Sequence, residues 1–158
     1  MDREADLKRA LVALVIAWAM PAQAAPASFA KQVAEAKAGI LEAADEGFNA
    51  MWANMREKSD AAGIGAAQAR VFAIWQNVGF SFGSCQQQLT ASDRANWTAR
   101  FEDFASAMSG GSPTALEDLR AAGAKFWADG TSFAAGNPVT QSYCKVEVEA
   151  ARQILASL

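Results

Sequence analysis

The sequence predicts an all-α protein, an irregular antiparallel bundle of about five helices closed by one disulfide. Three observations carry that prediction. Apolar residues recur at spacings of three and four through most of the chain, which gives a helix one buried face. Short breaks rich in Gly, Pro and Ser divide the pattern into segments. The only two cysteines, Cys85 and Cys144, fall on the inward faces of two different predicted helices.

The chain opens with a segment of another kind. Arg3, Lys8 and Arg9 precede an apolar run from Ala10 to Ala19. Met20, Pro21 and the small-residue exit Ala22-Gln23-Ala24 follow. A basic start, a short apolar core and an Ala-x-Ala exit describe a bacterial secretory signal, expected to be cleaved after Ala24. Asp2, Glu4 and Asp6 dilute its positive region. A membrane-spanning helix needs about 20 apolar residues, and this run is near half that. The expected division is a signal peptide over 1–24 and a single helical domain over 25–158. No stable membrane span is expected after cleavage.

The first helix is predicted from Ser28 to Lys58, with Ser28 as its cap. Phe29, Val33, Ala36, Ile40, Ala44, Phe48, Met51 and Met55 form its apolar stripe. Asp60-Ala61-Ala62-Gly63 ends it. The second helix covers Gly65 to Leu89, with Val71, Trp75, Val78, Phe82, Cys85 and Leu89 on one face. Val78 to Phe82 also alternates as a short strand would, but the three-four pattern runs through it. Gly79 and Gly83 then let another helix approach closely.

Thr90 or Ser92 opens the third helix, with Asp93 at its positive end. Trp97, Phe101, Phe104 and Met108 form its buried edge. Gly110-Gly111 breaks the chain, and Ser112-Pro113 starts a fourth helix carrying Leu116, Leu119, Gly123, Phe126 and Trp127. Asp129 to Pro138 reads as a turn-rich loop. The last helix runs from Thr140 to Leu158, with Cys144, Val148, Ala151, Leu155 and Leu158 inward.

Composition narrows the chemistry. The chain has 14 Lys and Arg against 17 Asp and Glu, a net charge of -3, and shows no basic cluster. Nucleic acid, which is bound through neutralised phosphates, is not an expected partner. There is no His, which removes imidazole catalysis and most zinc, copper and haem sites. No metal or other cofactor is expected. In an oxidising compartment an even cysteine count points to a bridge. Cys85–Cys144 is the one intramolecular choice, and closing a loop of about 60 residues contributes about 4 kcal/mol in the chain-entropy model.

Ser142-Tyr143-Cys144 followed by a closing amphipathic helix, with one earlier cysteine, resembles small exported two-cysteine helical proteins of alphaproteobacteria of uncharacterised function. The resemblance covers the last 18 residues and the two-cysteine plan, and carries no functional residues over.

Paired carboxylates can do acid–base work without His. Asp45-Glu46, Glu102-Asp103 and Glu117-Asp118 are sequence neighbours, which point about 100° apart on a helix and do not converge. Met51 and Met55 share a helical face and offer two soft sulfurs, but both fall on the core stripe, where Met fills gaps. Among the aromatics, Trp52, Phe72 and Phe80 fit their stripes least well and are the candidates for contacting a partner. The leading expectation is a non-catalytic periplasmic helical protein that binds a protein or envelope partner. Two alternatives stand beside it: a carrier or sensor of a small hydrophobic ligand or cofactor, and a carboxylate-based hydrolase of cell-wall glycan.

Overall fold

The computed structural model describes residues 27–61 and 65–158. The predicted signal segment, 1–24, lies outside the described residues. Five α-helices follow in order: α1 Phe29–Ala61, α2 Ala66–Ser84, α3 Ala91–Met108, α4 Pro113–Gly136 and α5 Gln141–Ser157. A 3-10 turn, Gln86–Gln88, joins α2 to α3. No strand occurs among the described residues, and Val78 to Phe82 is helical. No helix among the described residues is long and apolar enough to cross a membrane. The all-α bundle with one disulfide is the fold.

Helix α2 is the centre. It packs against α1, α4 and α5, and α3 closes over it through aromatic rings. Trp75 of α2 meets Trp97 and Phe101 of α3 edge-on, at 5.2 and 5.4 Å between ring centroids. Such contacts add to the burial of large apolar surfaces. Val78 and Phe82 are fully buried.

Gly83 and Gly130 let α2 and α4 touch backbone to backbone. A Cβ on Gly83 would strike the carbonyl oxygen of Trp127, and one on Gly130 would strike that of Phe80. The close approach expected at Gly83 is therefore made by α4. Gly130 also corrects the predicted loop at Asp129 to Pro138, because α4 continues through it to Gly136. Tertiary packing outweighs the turn preference of Asp129-Gly130-Thr131-Ser132. Gly130 fits against α2, Thr131 Oγ1 donates to the Trp127 carbonyl at 3.1 Å, and Phe133 packs on Phe80 at 5.3 Å. The Asn137 N–H closes the helix on the Phe133 carbonyl.

Three further expectations need correction. The second helix stops at Ser84 rather than Leu89, and Cys85 takes the C-cap position as the chain turns toward Thr90. The buried stripe of α1 is shorter than its apolar pattern. Val33, Ala36, Ile40, Ala44 and Phe48 are buried, whereas Phe29 is 53 % and Met55 43 % exposed. Length explains it: 33 residues extend about 50 Å, while the helices that cover α1 have 19 and 17 residues. Leu158, predicted inward, is likewise exposed just beyond the end of α5.

The caps follow the sequence. Thr90 Oγ1 accepts from the Asp93 N–H, and Asp93 Oδ2 accepts from the Thr90 N–H, a reciprocal capping box. Ser112 caps α4 ahead of Pro113, and Thr140 caps α5. The positive-φ residues Gly110 and Gly111 turn the chain between α3 and α4.

Candidate functional site

The Cys85–Cys144 bridge is formed, with Cα atoms 5.2 Å apart. It clamps the C-terminus of α2 to the first turn of α5. One turn deeper, the same two helices hold a polar pair. Ser81 Oγ donates to Glu147 Oε1 at 2.6 Å. Both residues are buried, and Glu147 is only 9 % exposed. Burial pushes the Glu147 carboxyl above its ordinary range, opposed by the Ser81 and Tyr143 hydroxyls, which favour its charged form. Tyr143 is pushed up as well, first by burial around its hydroxyl and then by the Glu147 charge. Glu147 lines neither of the two grooves described next. It is an internal fastening of α2 to α5 rather than an accessible acid.

The larger groove runs between α3 and α4, with a volume of about 620 Å³. Trp97 of α3 and Trp127 of α4 form its aromatic floor. Trp97 is nearly buried and Trp127 half-buried, so the floor is anchored in the core. Ala124 and Ala128 of α4 keep the wall low, while Gly123 lets the Phe101 ring of α3 pack against α4. Thr98, Thr131, Ser132, Gln86 and Arg94 supply the polar rim. The hydroxyls of Thr98 and Thr131 are committed to backbone carbonyls. The Arg94 guanidinium lies over Trp127, 5.4 Å from the ring centroid, and Nη2 donates to the Gln86 carbonyl at 3.0 Å. The groove is a wide, open depression with an apolar floor and a few polar groups at its rim.

The smaller cleft, about 200 Å³, lies between Phe29, Gln88 and the α5 residues Lys145, Val148, Glu149 and Arg152. Arg152 is already engaged there. Its Nε and Nη2 donate to the two Asp93 oxygens, both at 2.7 Å, and Nη1 lies 3.3 Å from Glu149. Hydrogen bonds from Arg152 hold the Asp93 carboxyl well below the usual carboxylate range.

The sequence-predicted residues fall as follows. Trp52 stacks on Phe48 at 5.6 Å and belongs to a satellite cluster with Ala44 and Ala73. Phe72 packs against Phe104 and Phe126, in the main core. Phe80 leans on Phe133. All three are half-buried, and each has an aromatic partner within the chain. One carboxylate in each of two acidic pairs faces its own cation: Asp45 faces Arg70 at 3.3 Å, and Glu102 accepts from Arg120 through two oxygens. Arg120 holds the Glu102 carboxyl below its ordinary range. Among the described residues, no group of three or more Cys, Asp and Glu side chains is placed to hold a metal ion.

Sequence reasoning missed Glu147 and Arg94. Glu147 was detectable, because it stands three residues after Cys144 and four before Ala151 on the inward face. Arg94 carried no such signal, since its place depends on how α3 meets α4.

No protein-family model, curated protein or solved structure matches the chain.

Proposed function

We propose that this chain is an exported, non-catalytic helical domain of the bacterial periplasm, and that it binds a small amphipathic molecule in the α3–α4 groove. The carrying observation is the groove itself: a Trp97–Trp127 floor, a low wall of Ala124 and Ala128, and Arg94 at the mouth. The signal-like N-terminus supports export. The Cys85–Cys144 bridge is compatible with an oxidising compartment. Binding is favoured over hydrolysis because Asp45, Glu102 and Asp129 each face a different cation and Glu147 is enclosed.

A second reading, docking of an envelope protein, keeps Trp52, Phe72 and Phe80 as contact residues. Met55, three positions after Trp52 and 43 % exposed, favours it at the far end of α1.

Native mass spectrometry of protein purified from its own host tests the first reading. The expected spectrum shows an added small-molecule mass, lost in Ala128→Trp, which fills the groove from an exposed position. A bare polypeptide for the natural chain counts against the carrier role. An added mass that persists in Ala128→Trp places the ligand elsewhere.

A further inference from the structure

We infer that the occupant of the α3–α4 groove is an amphipathic anion, with a flat apolar body resting on Trp127 and one anionic group at Arg94. This deepens the binding reading and rests on it. The first ground is charge. Arg94 is the sole charged side chain among the residues lining the groove, and no carboxylate lines it. Among the described residues, Arg70, Arg120 and Arg152 each pair with a carboxylate, whereas Arg94 pairs with none; Arg100 is likewise without a carboxylate, but it donates to the Leu155 carbonyl and lines no part of this groove.

The second ground is how Arg94 is held. A guanidinium has five N–H donors. The Gln86 carbonyl takes one and Trp127 supports the plane, so the group is positioned without being neutralised. A fixed, exposed guanidinium with donors to spare suits a carboxylate, sulfonate or phosphate. Ser132, exposed on α4, adds a hydroxyl at the same rim.

The third ground is shape. Ala124 and Ala128 put no long side chain on the α4 wall, and the one long side chain over the floor is Arg94 itself, so a planar body can lie along the floor beside the Arg94–Trp127 stack. A cationic ligand would meet the like charge of Arg94, and a strongly hydrated one would lose its water against an aromatic floor.

Two fluorescent probes separate these claims. Anilinonaphthalene sulfonate carries the anion, and phenylnaphthylamine has the same rings without it. On the purified disulfide-bonded protein, the sulfonate is expected to bind about tenfold tighter, the factor a charge-assisted hydrogen bond supplies. Arg94→Met should remove that advantage and leave the neutral probe within about twofold, a change below 0.5 kcal/mol by the same conversion. Arg120→Met, outside the groove, should change neither. Ala128→Trp should abolish both, with its helical spectrum retained. If the probes bind equally and Arg94→Met moves neither, while Ala128→Trp abolishes both, the groove binds ligands and the anion claim is overturned. If Ala128→Trp leaves both bound, the groove reading itself fails and takes the anion claim with it.

Discussion

Ser81 donates a 2.6 Å hydrogen bond to Glu147 across the α2–α5 interface, four positions before Cys85 and three after Cys144. A buried carboxylate is thus placed beside the covalent clamp between the same helices. The arrangement makes the stability of this interface depend on pH. The folded protein raises the Glu147 ionisation by desolvation, above the value of about 4.3 for an exposed glutamate. A group with a raised folded value contributes fully below its unfolded value, and that contribution is lost as pH rises through the folded one. Glu147→Gln keeps a neutral hydrogen-bonding side chain of similar shape. It should melt higher than the natural protein at pH 8 and close to it at pH 4. Ser81→Ala should destabilise by about 1–3 kcal/mol, more at pH 8 than at pH 4. Equal effects of Glu147→Gln at both pH values would contradict the assignment.

Asp93 has the opposite dependence. Arg152 first, and the Thr90 cap after it, hold its carboxyl well below the usual range. Its contribution is present above about pH 3.9 and fades as acid protonates the folded form. Asp93→Asn should cost about 1 kcal/mol near neutral pH, because it keeps an acceptor for the Thr90 N–H but removes the charge paired with Arg152, a pair that solvent partly screens since Arg152 is 38 % exposed. The deficit should shrink between pH 5 and pH 2 in chemical denaturation.

The bridge closes a sequence separation of 59 residues. Cys85→Ser or Cys144→Ser should lower stability by about 4 kcal/mol in the chain-entropy model. Titration of the denatured, unreduced protein should detect no free thiol. Two free thiols would remove both the bridge and one support for export.

Glycine placement separates packing from propensity. Gly130→Ala forces α4 away from the Phe80 carbonyl and should destabilise by about 3 kcal/mol or more. Gly47, exposed in the middle of α1, has open space where a Cβ would stand. Gly47→Ala should stabilise by about 0.5–1 kcal/mol. Thermal midpoints moving in opposite directions would bear out the close α2–α4 contact.

The fold was legible because its signals are local. Thr90 with Asp93, Ser112 with Pro113, and Thr140 mark helix starts through hydrogen bonds spanning three residues. Val33 to Phe48 and Cys144 to Leu155 mark buried faces through periodicity. Gly130 misled because its turn preference is local while its use is tertiary: it lies against a helix nearly fifty positions earlier. Met55 misled because a continuing apolar stripe does not reveal where the covering helices end. The groove was illegible for the same reason as Gly130. Arg94, Trp97 and Trp127 become one surface only after α4 is allowed to continue past Asp129 and α3 is laid along it.

The central claim is that ligand binding occurs on the Trp127 floor rather than on a face near Trp52. Indole N–H resonances of the assigned tryptophans report this directly during titration with phenylnaphthylamine. The expected result is a large, saturable shift at Trp127, a smaller one at Trp97 and none at Trp52. A saturable shift at Trp52 with Trp127 unmoved, or no shift at any indole, would contradict it.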